Sequence, residues 1–166
     1  MRADELKGRA VVTLTDATKI GSIDDVLFDA HFRTVLGFRV KTGLLRHEAL
    51  PRAGVSAIGV DAVTVADHAA VNSEDRFSEL AGAVPLDNAR HMKVVTDNGE
   101  LLGVVAAVEL DDTVEHVLAY TLEAPLVDRI RGHAPQIRAD DVTRMGADGI
   151  MIVPASVGEE FHENQM

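Results

Sequence analysis

No cysteine occurs in the 166 residues, which rules out disulfide scaffolds, thiolate metal sites and thiol nucleophiles. Long apolar stretches are missing as well. The longest, Leu101 to Val108, is far too short to cross a bilayer, and the opening Met1-Arg2-Ala3-Asp4-Glu5-Leu6-Lys7-Gly8 lacks the apolar core of a signal peptide. No membrane association and a cytoplasmic location are the resulting expectations. Positive charge is scarce: 16 Lys and Arg stand against 27 Asp and Glu, giving a net charge of -11. A surface of that sign repels phosphate backbones, so no nucleic-acid partner is expected.

The usual chemical signatures are also wanting. No Gly-rich turn leads from a strand into a long helix with a following Lys-Ser or Lys-Thr, so a phosphate loop is not expected. None of the serines sits in a Gly-x-Ser-x-Gly context. His31, His68, His91 and His162 lie at no metal-ligand spacing, and the adjacent His47 and Glu48 would point to opposite faces of a strand. The acidic pairs Asp24-Asp25, Asp111-Asp112 and Asp140-Asp141 do not follow the alternating pattern of a calcium loop. No catalytic residue, metal or cofactor is expected, and the reading is of a protein that is not an enzyme.

What the chain does contain is an internal repeat. Ile20-Gly21-Ser22-Ile23-Asp24-Asp25-Val26-Leu27-Phe28-Asp29 is answered by Leu102-Gly103-Val104-Val105-Ala106-Ala107-Val108-Glu109-Leu110-Asp111, with Gly21 and Gly103 82 positions apart (103 − 21). Ile58-Gly59-Val60-Asp61-Ala62-Val63 is answered by Met145 to Ile150, 87 positions on (145 − 58). A unit of this size is marginal alone and repeats to share its burial. Each half reads as short strands: 10–16 and 92–97, then a period-two strand with Val26 and Phe28 matched by Val108 and Leu110, then Leu36, Phe38 and Val40 matched by Leu118, Tyr120 and Leu122. Asn98-Gly99 marks a tight hairpin turn. Asp29 and Asp111, each just before a turn, suit the capping of backbone donors, and Asp61 and Asp148 are read the same way.

The fold expected is all-β: two small barrels from a duplication, at residues 1–70 and 80–157. A linker at 71–79 holds a short helix capped by Ser73, and the acidic tail 158–166 frays. A single helical turn is expected at 126–130.

The order of blocks, a Gly turn followed by Val-Leu-Phe-Asp, then Val-Leu-Gly-Phe-Arg-Val, then Leu-Pro and Ile-Gly-Val-Asp-Ala-Val-Thr-Val, resembles the PRC-barrel family over residues 8–67 and, more loosely, 80–155. The resemblance implies a small β-barrel like that of the cytoplasmic part of the photosynthetic reaction-centre H subunit and the C-terminal domain of a bacterial ribosome maturation factor. In those settings the barrel docks or stabilises larger assemblies. The chain departs from both, having neither the membrane helix of the first nor room for the N-terminal domain of the second, so neither specific function carries over.

Apolar residues expected to face outward are the main functional lead. Leu27 stands where the second half has Glu109, and Leu44, Leu45, Leu126, Val127 and Ile130 lie in loops, where a lone monomer prefers polar residues. They would pack one unit on the other or meet a partner protein or a second copy of the chain. Arg129, Arg131 and Arg138 are the only basic cluster, to be weighed as an anion contact against a solvated loop. The function expected is a non-enzymatic interaction or scaffolding module for an unidentified protein. The alternatives are a small-ligand or metal binder using a crevice between the barrels, and a ribosome-assembly adaptor that holds a basic ribosomal protein.

Overall fold

A computed structural model describes residues 1–123 and 134–165. The chain divides into two compact units, one of Arg2–Leu86 and one of Asp87–Met166 joined by Met1.

The first unit is a sheet in the order β4-β3-β2-β1-β6-β5, made of β1 (Ala10–Thr13), β2 (Lys19–Phe28), β3 (Val35–Gly43), β4 (Arg46–Pro51), β5 (Val55–Ile58) and β6 (Ala62–Val65). A two-residue strand, β7 (Val84–Pro85), adds to the free side of β2. The second unit holds β8 (Lys93–Thr96), β9 (Leu101–Leu110), β10 (Val117–Leu122), β11 (Gln136–Arg138), β12 (Arg144–Met145) and β13 (Ile150–Val153), in the order β11-β10-β9-β8-β13-β12. The two orders are the same.

Register repeats with the order. The parallel pairs β1–β6 and β8–β13 match Val11 with Val63 and Val94 with Met151. The antiparallel pairs β1–β2 and β8–β9 match Val11 with Gly21 and Val94 with Gly103, and each slips by one residue at the next step. Core residues follow suit: Val26, Phe28 and Phe38 are fully buried in one unit, and Val108, Leu110 and Tyr120 are buried in the other. Each unit is barrel-like, with a strand ladder that does not close on itself among the described residues.

Glycine is required where strand backbones approach most closely. A Cβ on Gly21 would lie 2.4 Å from the carbonyl oxygen of Lys41, so β2 crosses β3 too closely for any side chain. Asn98-Gly99 forms the expected hairpin turn between β8 and β9, with Gly99 at φ +91° and its N–H donated to the Thr96 carbonyl at 2.9 Å.

Two expectations give way. The linker is not one helix but two 3-10 turns, Glu74–Arg76 and Ser78–Leu80, and the Ser73 side chain caps neither. A helix that short is marginal, and Phe77 stays extended between the turns so that Phe77 and Leu80 both reach the sheet. The tail does not fray from residue 158. It forms α1 (Ala155–Gln165), anchored by Phe161, which is buried. The residues 126–130 lie outside the described part.

Candidate functional site

The Asp turns behave as the repeat suggests. Asp29 Oδ1 accepts from the backbone N–H of Arg33 (2.7 Å) and Thr34 (3.0 Å), and Asp111 Oδ1 accepts from Glu115 (2.8 Å) and His116 (3.2 Å). Each turn carries a buried apolar residue at positive φ, Phe32 at +51° and Val114 at +56°. Burial opposes the charge on Asp111, but the N–H groups of Glu115 and His116 prevail and hold its carboxyl below the usual carboxylate range. These aspartates build turns and are engaged in doing so. Asp61 and Asp148 do not share the role: their turns close through Gly59 N–H to the Ala62 carbonyl and Gly146 N–H to the Ile150 carbonyl, both 2.8 Å.

Of the apolar residues expected to face outward, Leu27 does not. It is fully buried, because the linker folds over the outer face of β2: Leu80 and Ala49 pack on it, with Leu36, Phe77 and Ala83 around them, and Pro85 of β7 pairs directly opposite. Period-two reading misses this, since it takes one sheet face to be wet. In the second unit Leu118, the counterpart of Leu36, stays 55% exposed.

Leu44 and Leu45 are as expected. They form the tip of the β3–β4 hairpin, where Gly43 pairs with Arg46, and are 87% and 92% exposed. No other described large apolar side chains are as open, Val60 at 85% excepted. Leu126, Val127, Ile130, Arg129 and Arg131 fall outside the described residues. Arg138 ends β11, exposed.

The flanks of the same hairpin line a pocket of about 200 Å³, together with Ile20 of β2, His68 and Val71. Thr42 and Arg46 contribute from either side of the tip, and Glu48 from two residues further along β4. Arg46 pairs with Glu48 at 2.9 Å, and His68 Nε2 meets Asp16 Oδ2 at 3.3 Å. Asp16 is held below the usual carboxylate range chiefly by the Thr13 hydroxyl. The Thr42 hydroxyl is shut from solvent and has no hydrogen-bond partner. His47, by contrast, turns to Asp24 at 3.3 Å. Sequence reasoning misses this pocket, because Ile20, Thr42 and His68 come from three separate segments and none bears a motif.

No group of three or more histidine or acidic side chains among the described residues is placed to hold a metal ion. No helix among them is long and apolar enough to cross a membrane.

A ladder of short strands in one order with one parallel pair, used twice, defines a small barrel-like β module. The PRC-barrel domain model matches residues 1–71, and the first unit is a PRC-barrel domain. The second unit repeats its strand order and register. Among solved structures, one described as a 16S ribosomal RNA processing protein from Pseudomonas aeruginosa aligns over 90% of this chain and 95% of its own, at 14% identity and a TM-score of 0.29, too low to bear on function. No curated protein matches the chain.

Proposed function

We propose that this protein is a non-enzymatic, cytoplasmic interaction module that holds a partner protein at the β3–β4 hairpin tip. The observation that carries the reading is the pair Leu44 and Leu45, almost fully exposed at the end of an otherwise well-paired hairpin. A solvent-facing Leu-Leu tip gains nothing for the folded monomer, whereas covering it removes apolar surface worth about 25 cal/mol per Å² from water. The engaged turn aspartates and the absence of a nucleophile motif support a role without catalysis.

The test is quantitative affinity capture with the wild-type chain and a Leu44→Ser/Leu45→Ser double variant of equal melting temperature. A defined protein retained by the first and lost from the second supports the reading. Equal capture by both, or turnover of a small molecule by the purified chain, removes it.

The charge of -11 favours a second, narrower version, in which the partner is a basic ribosomal protein and the module an adaptor in ribosome assembly. Co-sedimentation with ribosomal particles at low salt, weakened as salt rises, is its expected outcome; no co-sedimentation at any salt ends it.

A further inference from the structure

The shared register pairs the outward positions of the two sheets one for one. In the first unit Lys19, Val12, Thr64 and Ala57 lie side by side across β2, β1, β6 and β5, and Ser22, Ala10 and Ala62 form the next row. In the second unit the same places across β9, β8, β13 and β12 hold Leu101, Val95, Ile152 and Arg144, then Val104, Lys93 and Ile150. Where the first unit has Lys19, Ser22, Thr64 and Ala62, the second therefore has Leu101, Val104, Ile152 and Ile150. The residues alternating with them, Val94, Met151, Val153 and Val105 among them, are buried, so these rows face out. Leu101 is 57% exposed and Ile150 39%, while Val95, Val104 and Ile152 are half-buried.

The charge on this face is opposite in sign to that of the unit bearing it. Asp87–Met166 with Met1 holds 6 Lys and Arg against 15 Asp and Glu, a net -9 (6 − 15). Yet the only charged residues in the two outward rows are Lys93 and Arg144. Both are exposed, and neither side chain has an ion-pair or hydrogen-bond partner among the described residues. Cations that served only to balance the unit would gain by lying beside its abundant carboxylates. These two lie instead among aliphatic side chains.

We propose that the outer face of β9, β8 and β13 docks a partner protein through an apolar ridge bordered by carboxylates. The aliphatic side chains supply the burial, and the unpaired Lys93 and Arg144 set the charge and register of what fits. The three strands together span about 10 Å, the breadth of a single helix. A second copy of the chain is the poorer occupant, since it brings the same two cations to the contact and a further net charge of -11. An anionic bilayer meets the unit's acidic surface as a whole, whereas a protein ridge sets its carboxylates against two cations alone. This face is separate from the Leu44–Leu45 tip, and the assignment does not rest on that reading.

The experiment titrates the full-length chain with two synthetic amphipathic helices of one leucine pattern, bordered by glutamates in the first and by lysines in the second. Affinities are read from the methyl shifts of Leu101, Val104 and Ile152, so that peptide bound elsewhere on the acidic surface is not counted. The glutamate peptide is expected to bind this face about fivefold more tightly, as one or two exposed ion pairs allow. A chain of net charge -11 would otherwise favour the lysine peptide, so the sign of the difference decides. Lys93→Glu/Arg144→Glu, two exposed changes, is expected to reverse the preference, and Leu101→Ser/Ile150→Ser to weaken the glutamate peptide about tenfold. Tighter binding of the lysine peptide by the wild type, methyls that stay put at millimolar peptide, or a preference that survives the charge reversal overturns the assignment. A concentration-dependent dimer dissolved by Leu101→Glu overturns it in favour of a second copy. Retention on phosphatidylserine vesicles that Lys93→Glu/Arg144→Glu abolishes overturns it in favour of a membrane. Capture through Leu44 and Leu45 is scored separately, so failure of this face leaves the proposed function standing.

Discussion

Aspartate 111 carries its charge because two backbone N–H groups point at it, and the cost of removing it therefore depends on pH. Its carboxyl titrates below the usual value near 3.9, so the stabilisation is present at pH values above that and is lost as pH falls through the lower, folded-state value. Asp111→Ala is expected to lower unfolding free energy by about 1 kcal/mol at pH 7, from loss of the two acceptor contacts. In urea titrations the gap to wild type should narrow at pH 3. A gap that widens on acidification would contradict the assignment. Leu27 sets the other extreme at this scale. Leu27→Ala opens a cavity under the linker and should cost about 3 kcal/mol, whereas Leu44→Ala at the open tip should cost under about 0.5 kcal/mol. Thermal denaturation of the two variants decides it, and equal shifts would mean that the linker does not cover Leu27 in solution.

Among the elements, β2 depends on Gly21. Gly21→Ala forces a methyl to within 2.4 Å of a carbonyl oxygen that neighbouring β3 cannot move without breaking its ladder, and a loss of about 2 kcal/mol or more is expected in chemical denaturation. A neutral outcome would show that β2 and β3 separate more easily than drawn. At this scale, too, sequence and structure can be compared. The strands were legible, because Val108 and Leu110 flank Glu109 at the period a half-buried strand imposes and Val26 and Phe28 repeat that spacing, and Gly99 and the turn aspartates mark where strands reverse. The linker and α1 were not. Their shape is decided by what they cover, Leu27 in one case and Leu102 in the other, and no local pattern announces a tertiary contact. The pocket was invisible for the same reason: hairpin flank, strand start and post-strand turn meet only in the folded unit.

For the molecule as a whole, duplication followed by unequal use is the unifying description. Both units keep the same strand order, the same bulge after Val11 or Val94 and the same aspartate turn. They differ in what the connecting segments cover. The linker packs over Leu27 and Leu36 in the first unit, whereas Leu118, the counterpart of Leu36, stays open in the second; α1 packs against Leu102, and the corresponding Ile20, half-buried, lines the pocket. The two most exposed apolar side chains among the described residues, Leu44 and Leu45, stand together at the first unit's hairpin tip. The most direct measurement of this account is the capture of a partner by the full-length chain with and without Leu44→Ser/Leu45→Ser. The account predicts a specific protein held by the wild type and released by the double variant at unchanged melting temperature; retention of the same protein by both chains would contradict it.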